Sequence, residues 1–283
     1  MEDTTHPGRA GILAIGWLGA LTVLLWSLGC GGRARLEPFP WERFETEVLS
    51  ELRIRSALLD SLRAQVTLQV QEHGEANEAR AVLYFQKPDR LRLDVLDPMG
   101  APVVVIRASQ GQLSYLDIRA GKGFLGPLVD RVLQEEFRVS VRITDVQRAL
   151  LANPFLEGGL DDATVRRENR AVRVVRPTEE GGREEVQVGW QQGEPIVDFW
   201  VLRDAQERIV QRVRFWNYRD LGGILFPLDV EIERPAEGVR LRLHAIDPEV
   251  NLPLSEATFA HRFPPTAVVR RLSASEETVQ GQD

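Results

Sequence analysis

The chain has one cysteine, Cys30, in 283 residues. A lone thiol cannot close an intramolecular disulfide, and it excludes a cysteine-based zinc site, which needs two to four thiolates at fixed spacing. Histidine is almost as scarce. His6, His73, His244 and His261 lie far apart, and no H-E-x-x-H or other metal spacing joins them. No G-x-S-x-G nucleophile elbow occurs. Lysine is rare, so arginine supplies nearly all of the 35 basic residues, and these alternate with 42 carboxylates to give a formal net charge of −7. An acidic chain whose arginines are spread over solvated faces does not suit a phosphate backbone, so nucleic acid is not expected as a partner.

What is present is ample core material. Hydrophobic residues make up 43% and charged residues 27%, the balance of a folded globular chain rather than a disordered one. The length suits one large domain or two small ones.

The longest apolar run is "ILAIGWLGALTVLLWSL", Ile12 to Leu28, 17 residues without charge or proline. It is at the short limit for a membrane-spanning helix and slightly long for a signal-peptide core. Arg9 precedes it, and Ser27 and Gly29 stand at −3 and −1 relative to Cys30, the small-residue spacing of a cleavage site. Leu28-Gly29-Cys30 resembles the end of a bacterial lipobox, with Ser27 where that pattern prefers leucine. The resemblance implies residues 1–29 as a lipoprotein signal peptide and Cys30 as the acylated first residue of the mature chain. Gly31 after it, rather than aspartate, implies sorting to the outer membrane. The alternative is an uncleaved anchor with an incidental cysteine. Residues 30–40, rich in Gly and Pro, form a tether.

From Trp41 the apolar period is helical, through Trp41, Phe44, Val48, Leu49 and Leu52, ending near Leu58–Leu59. It then drops to two. In "SLRAQVTLQV" Leu62, Ala64, Val66, Leu68 and Val70 alternate with polar residues, as in a strand buried on one face. Further strands follow in "ARAVLYFQKP", "RLRLDVL", "PVVVIRA" and "QLSYLDIRA", with "DPMG" as a turn. Connections this short make the neighbours antiparallel. Two helical stretches come next: "PLVDRVLQEEF", with Pro127 at N1, and "TDVQRALLANP", with Thr144 as N-cap and Pro154 beyond its end. Six more strands follow, from "ATVRRENRAVRVVRP" through "REEVQVGW", "PIVDFWVLRD", "ERIVQRVRFWNYRD" and "LFPLDVEIERP" to "GVRLRLHAID".

The fold expected is α+β: one large curled antiparallel sheet of about eleven strands, an open half-barrel, with about three helices covering an apolar cavity. It occupies residues 41–265 as a single domain, and residues 266–283 are a polar, flexible tail.

One motif imitates a cofactor site. "GKGFLG", Gly121 to Gly126, has the form G-x-G-x-x-G, with Asp145 further on. That fingerprint belongs to a parallel βαβ unit, and the flanks here are spaced as hairpins. A glycine-rich connection is the better reading, and no cofactor or metal is expected. No carboxylate occupies an apolar stretch as an obvious partnered pair; Asp198, in "PIVDFWV", is the nearest case. The positive signal is apolar and aromatic. Val66, Leu68, Leu83, Phe85, Leu93, Val95, Trp190, Phe199, Trp200, Phe215 and Trp216 lie on predicted strands and are the candidate lining of a ligand cavity. A filled core would give the same pattern.

The stretch Arg90 to Pro154 resembles the outer-membrane lipoprotein receptor LolB. The order is strand, D-P-hydrophobic-G turn, hairpin and two helices: "RLRLDVL", "DPMG", "PVVVIRASQGQLSYLDIRA", "PLVDRVLQEE", "ITDVQRALLANP". The later "FWNYRDLGGILFPLDVEIER" is similar to the strand–loop–FP–strand pattern of the LolA/LolB-like superfamily. The resemblance implies an unclosed barrel that holds lipid acyl chains beneath a helical lid, with no enzymatic step. It implies a cargo-transfer turn at Asp97, Pro98, Met99 and Gly100, with Met99 protruding where the family usually has leucine. The alternative is that Met99 tucks beneath its own hairpin. The expected function is a monomeric, lipid-anchored outer-membrane protein that faces the periplasm, receives cargo from a LolA-like carrier and assists delivery of lipoproteins. Carriage of another lipid or glycolipid, or a purely structural envelope role, are the alternatives.

Overall fold

Two runs of strands meet at the first and last long strands of the chain. The first run is β1 (Ser61–Glu72), β2 (Glu75–Gln86), β3 (Arg90–Leu96), β4 (Pro102–Ser109), β5 (Gln112–Asp117) and β6 (Lys122–Pro127). The second is β7 (Thr164–Glu168), β8 (Ala171–Pro177), β9 (Arg183–Gln191), β10 (Glu194–Arg203), β11 (Ile209–Asp220), β12 (Leu225–Arg234) and β13 (Val239–Val250), and β14 (Val268–Arg271) follows. Among the described residues three α-helices accompany them: α1 (Leu49–Leu58), α2 (Ile143–Leu151) and the single turn α3 (Glu256–Phe259). The structure, a computed structural model, describes residues 49–72, 74–128, 143–152, 162–168, 171–191 and 193–272.

All fourteen strands form one sheet, ordered β14, β6, β5, β4, β3, β2, β1, β13, β12, β11, β10, β9, β8, β7. Each run is a meander of antiparallel hairpins, and β1 against β13 joins them, from Leu62 opposite Val250 to Glu72 opposite Val239. Among the described residues only β14 pairs in parallel, on β6. The sheet is open, and its two edges, β14 and β7, are its shortest strands. Each carries an arginine pair, Arg270-Arg271 and Arg166-Arg167.

Fourteen strands replace the eleven expected from sequence, for three separate reasons. Lys122–Pro127 is a strand, not a connection leading into a helix, so Pro127 ends β6 instead of starting a helix. Its glycines hide the pattern, and each has a packing cause. A Cβ at Gly123 would come within 2.8 Å of two Phe263 ring carbons, and one at Gly126 would meet the Phe124 ring at 2.7 Å. The stretch 163–177 is two strands, with Glu168 directly opposite Ala171. Finally, Val268–Arg271 adds a strand within the expected tail; at four residues it is too short for a period to show. Thr144 lies inside α2 rather than capping it. The expected helix over "PLVDRVLQEEF", beyond Leu128, and Trp41, Phe44 and Val48 lie outside the described residues.

One face of the sheet is largely apolar. Leu62, Ala64 and Val66 of β1 meet Phe85, Leu83 and Ala81 of β2, and those meet Leu91, Leu93 and Val95 of β3. Val213, Phe215, Val230, Ile232, Leu241 and Leu243 continue it across β11 to β13. α1 and α2 pack on this inner face, burying Leu52, Ala149 and Leu150. The outer face is charged. Asp229, Glu231 and Glu233 on β12 are flanked by arginines of both neighbours: Arg212 and Arg240 reach Glu233 at 3.2 Å, Arg214 reaches Glu231 at 3.7 Å and Arg242 reaches Asp229 at 3.4 Å. Over β3 to β6 the outer face is strapped by residues 251–263. There Phe259 is buried, Arg92 donates to the Thr258 carbonyl at 3.1 Å, and the His261 ring bridges Ser109 and Ser114 at 3.0 and 2.8 Å.

Leu83 is 1% exposed at the centre of the inner face. Leu83→Ala removes its contacts and leaves a space the sheet cannot close, so it should destabilise the fold by about 2–5 kcal/mol. Urea unfolding followed by circular dichroism measures it, with an unchanged slope showing that the same structure unfolds.

Candidate functional site

The inner face brings together most of the residues singled out from sequence. Val66, Leu83, Phe85, Trp200 and Phe215 are buried in one apolar cluster, with Leu68 beside them and Leu93, Val95 and Trp190 packed partly buried against it. Phe199 and Trp216 are not in this cluster. Phe199 faces Arg214 and Trp216 faces Asp229 across the ladder, on the charged side, and Arg242 lies 5.0 Å from the centroid of the Trp216 ring. Adjacent residues on a strand point to opposite faces, so each Phe-Trp pair could place only one member inside.

This face is covered rather than hollow. Between α1, α2 and β10 to β12 lies a space of about 30 Å³, lined by Leu52, Leu59, Leu150, Leu151, Ile196, Tyr218 and Phe226, among others. A second, of about 10 Å³, separates Val146, Ala149 and Leu150 from Val230, Ile232, Leu241 and Leu243. Each has the size of about one water molecule, whereas ligand pockets run to roughly 300–1,000 Å³. Where the described residues of α1 and α2 meet β10 to β13, the face is therefore filled rather than hollow.

The "DPMG" turn is built to hold its apolar residue out. The Asp97 carboxylate accepts from the backbone N–H groups of Met99 at 2.9 Å and Ala101 at 3.0 Å, and Gly100 N–H closes on the Asp97 carbonyl at 2.9 Å. These bonds hold the Asp97 carboxyl below the usual range for aspartate, with Arg119 adding to the effect. Gly100 takes φ +86, open to glycine at no steric cost. Arg80 donates to the Pro98 carbonyl at 2.9 Å, and Arg119 reaches Asp97 at 3.2 Å. The result is a braced turn with Met99 92% exposed, so the side chain does not tuck beneath its hairpin. Ile118 and Val268 are also exposed and lie on the same rim: Ile118 N–H bonds the Val103 carbonyl, and Val268 N–H bonds the Gly121 carbonyl. Sequence reasoning missed these two. Ile118 sits in a turn and Val268 in an apparent tail, where no period marks them.

The remaining candidates are structural. Gly121 is a hairpin turn between antiparallel β5 and β6, so the G-x-G-x-x-G stretch opens no helix. His244 pairs with Asp229 at 3.0 Å, and His261 of the strap is held by Ser109 of β4 and Ser114 of β5. Among the described residues no cluster of three or more His, Cys, Asp or Glu is placed to hold a metal. Asp198 occupies a bulge, where β10 slips one residue against β9 between Val197 and Phe199. Its carboxyl covers Gly189, 2.5 Å from where a Cβ would stand, and accepts from Gln187 at 3.2 Å. Burial raises its pKa, and the Gln187 bond only partly offsets this.

A carboxyl with a raised native pKa binds protons more tightly folded than unfolded, so its charge costs stability once the pH exceeds its ordinary value of about 3.9. Asp198→Asn should therefore be more stable than the parent at pH 7, with the difference fading as the pH falls below that value. Thermal melts of both proteins across this range measure it.

No family model matches the chain, and no curated protein matches it. Its structure is similar to three solved ones. A DUF1329 family protein from Desulfovibrio piger superposes with a TM-score of 0.54 at 13% identity, over 75% of this chain and 95% of that one. A domain described as outer membrane lipoprotein-sorting, from Vibrio parahaemolyticus, gives 0.52 at 11% identity, over 75% and 95%. A LolA superfamily protein from Nitrosomonas europaea gives 0.51 at 12% identity, over 75% and 97%. At these identities the likeness is one of fold: the open curled sheet of this chain is similar to the sheets of these three structures.

Proposed function

We propose that this protein is a lipid-anchored envelope protein of LolB type, which takes acyl chains against the inner face of its sheet and helps deliver lipoproteins to the outer membrane. The observation that carries the reading is the braced turn that holds Met99 in solvent, on a fold shared with LolA-like structures. A bare thioether is a flexible, polarisable apolar probe, and Ile118 and Val268 widen the rim around it. No bond is made or broken. An acyl chain exchanges one apolar environment for another, with roughly 0.8 kcal/mol at stake per CH₂ in each. The inner face needs only to match what donor and bilayer offer, and a LolA-like carrier is the donor proposed. Acylation of Cys30 places the domain at the membrane, since two or more chains give stable anchoring. Charge on the outer face keeps that side in water.

The closed inner face favours a second reading, a structural envelope lipoprotein with a filled core that acts through its surface. Uptake of a fluorescent fatty-acid probe decides between them. Saturable uptake supports the carrier reading, and a folded protein that takes up none supports the structural one. Native mass spectrometry of gently purified protein separates a bound lipopeptide from another lipid by mass.

Met99→Glu should leave the melting temperature unchanged and sharply slow transfer of lipid or cargo to liposomes; transfer at the parent rate would remove the turn from the mechanism. Cys30→Ala should abolish labelling by a palmitate analogue in cells, and persistent labelling of that variant would sink the lipoprotein reading.

A further inference from the structure

The strap over the outer face, residues 251–263, is fixed at both ends and held lightly between them. At its start Asn251 N–H donates to the Ser61 carbonyl at 2.8 Å, and the Asn251 side-chain oxygen accepts from Asp60 N–H at 2.9 Å. Beyond its far end β14 pairs with β6. Between these points lie the buried Phe259, the Arg92 bond to the Thr258 carbonyl, an Arg90–Glu256 pair at 3.3 Å and the His261 ring. The strap covers apolar side chains. Val105 of β4 lies opposite Leu116 of β5, and each alternates with inward residues, Ile106 and Tyr115. Both are nonetheless buried. Phe263 stands over Gly123, the residue opposite Leu116 on β6.

His261 is the contact that depends on charge. Its two nitrogens meet the hydroxyls of Ser109 and Ser114, residues only 7% and 0% exposed. A neutral imidazole donates from one nitrogen and accepts with the other, which suits a pair of hydroxyls. A protonated ring has two donors and no acceptor, so one buried hydroxyl loses its acceptor, which is costly. The added charge also meets the wrong neighbour. Arg107, directly opposite Ser114 on β4, is 9% exposed, and its Nε and Nη1 find no acceptor. Among the described residues of these elements the carboxylates are already engaged. Asp94 of β3 accepts from Arg92 at 2.8 and 2.7 Å, Glu256 of the strap pairs with Arg90, and Asp117 at the end of β5 accepts from Ala120 N–H at 2.8 Å. Arg262 of the strap, Lys122 of β6 and Arg270 and Arg271 of β14 add only positive charge. Burial lowers the pKa of His261 below the usual histidine value; a bond to the Ser109 backbone opposes this and Arg107 adds to it.

We propose that residues 251–263 are a pH-released strap, in which protonation of His261 frees the middle of the segment from β4 and β5 and bares Val105, Leu116 and Phe259. The closed strap binds the proton less tightly than the open one, so acid favours opening, from about pH 6.5 downward. The ends stay attached, and the strap can close again when the proton leaves. The apolar surface on β4, one of the two strands joined by the Met99 turn, thus grows as the pH falls. This device lies on the outer face and is independent of what the inner face binds.

The test is hydrogen exchange read by mass spectrometry on the full-length protein, from about pH 7.5 to about pH 5, with each rate divided by the intrinsic rate at that pH. In the parent, protection of peptides within 252–263 should fall by up to about tenfold for each pH unit below about 6.5, the most that one proton gives. Peptides from β1 and β13 should keep their protection throughout. His261→Gln, which keeps a donor and an acceptor and does not titrate, should hold the strap's protection constant over the range. Arg107→Met, which removes the facing cation, should make the fall smaller. Strap protection that does not change with pH in the parent, or an equal fall in His261→Gln, overturns the proposal. Should His261→Gln leave the strap unprotected at every pH, Arg107→Met decides: a smaller fall supports the release, and a fall as steep as the parent's overturns it.

Discussion

The pairing of β1 with β13 holds the two halves of the chain together. Within each run, neighbouring strands are joined by short hairpins and could form locally. The β1–β13 ladder instead joins residues about 170 to 190 positions apart, from Leu62 opposite Val250 to Glu72 opposite Val239. Such a contact forms only after a large loop has closed, which makes it entropically costly and slow. Its stability comes from burial. Leu62, Ala64 and Val66 on one strand and Leu243 and Ala245 on the other belong to the same apolar cluster. Without this ladder there would be two separate sheets, each with a raw edge and half a core.

The two faces of that sheet then divide the work. The inner face is apolar from β1 to β13, and the helices over it are short, nine and ten residues. Helices of that length have little stability of their own and are held chiefly by packing. The outer face has its carboxylates on β12 bracketed by arginines on β11 and β13, a ladder that needs no ligand to be satisfied.

Much of this was legible in the sequence because alternation reports burial directly. β1 reads as inward and outward residues in turn, and its inward set is the buried set. The parts that did not show have local causes. β6 carries two glycines where Phe263 and Phe124 need room, and β14 is too short to display a period. The aromatic pairs announced their strands but not their facing, so Phe199 and Trp216 fell on the charged side while Trp200 and Phe215 fell inside. Alternation also cannot say whether an inner face is hollow. That depends on how closely α1 and α2 settle on it, and they settle to within about a water molecule. Met99 was visible because the turn chemistry of "DPMG" is local.

An open sheet, unlike a closed barrel, ends in two strands whose outward N–H and C=O groups are free to pair with another chain. Here both of those strands are brief, and each carries two adjacent arginines. One of each pair must point along either face, so a second copy approaching edge-on would meet like charge from whichever side it came. The fold can thus remain open without inviting strand-by-strand polymerisation at its margins.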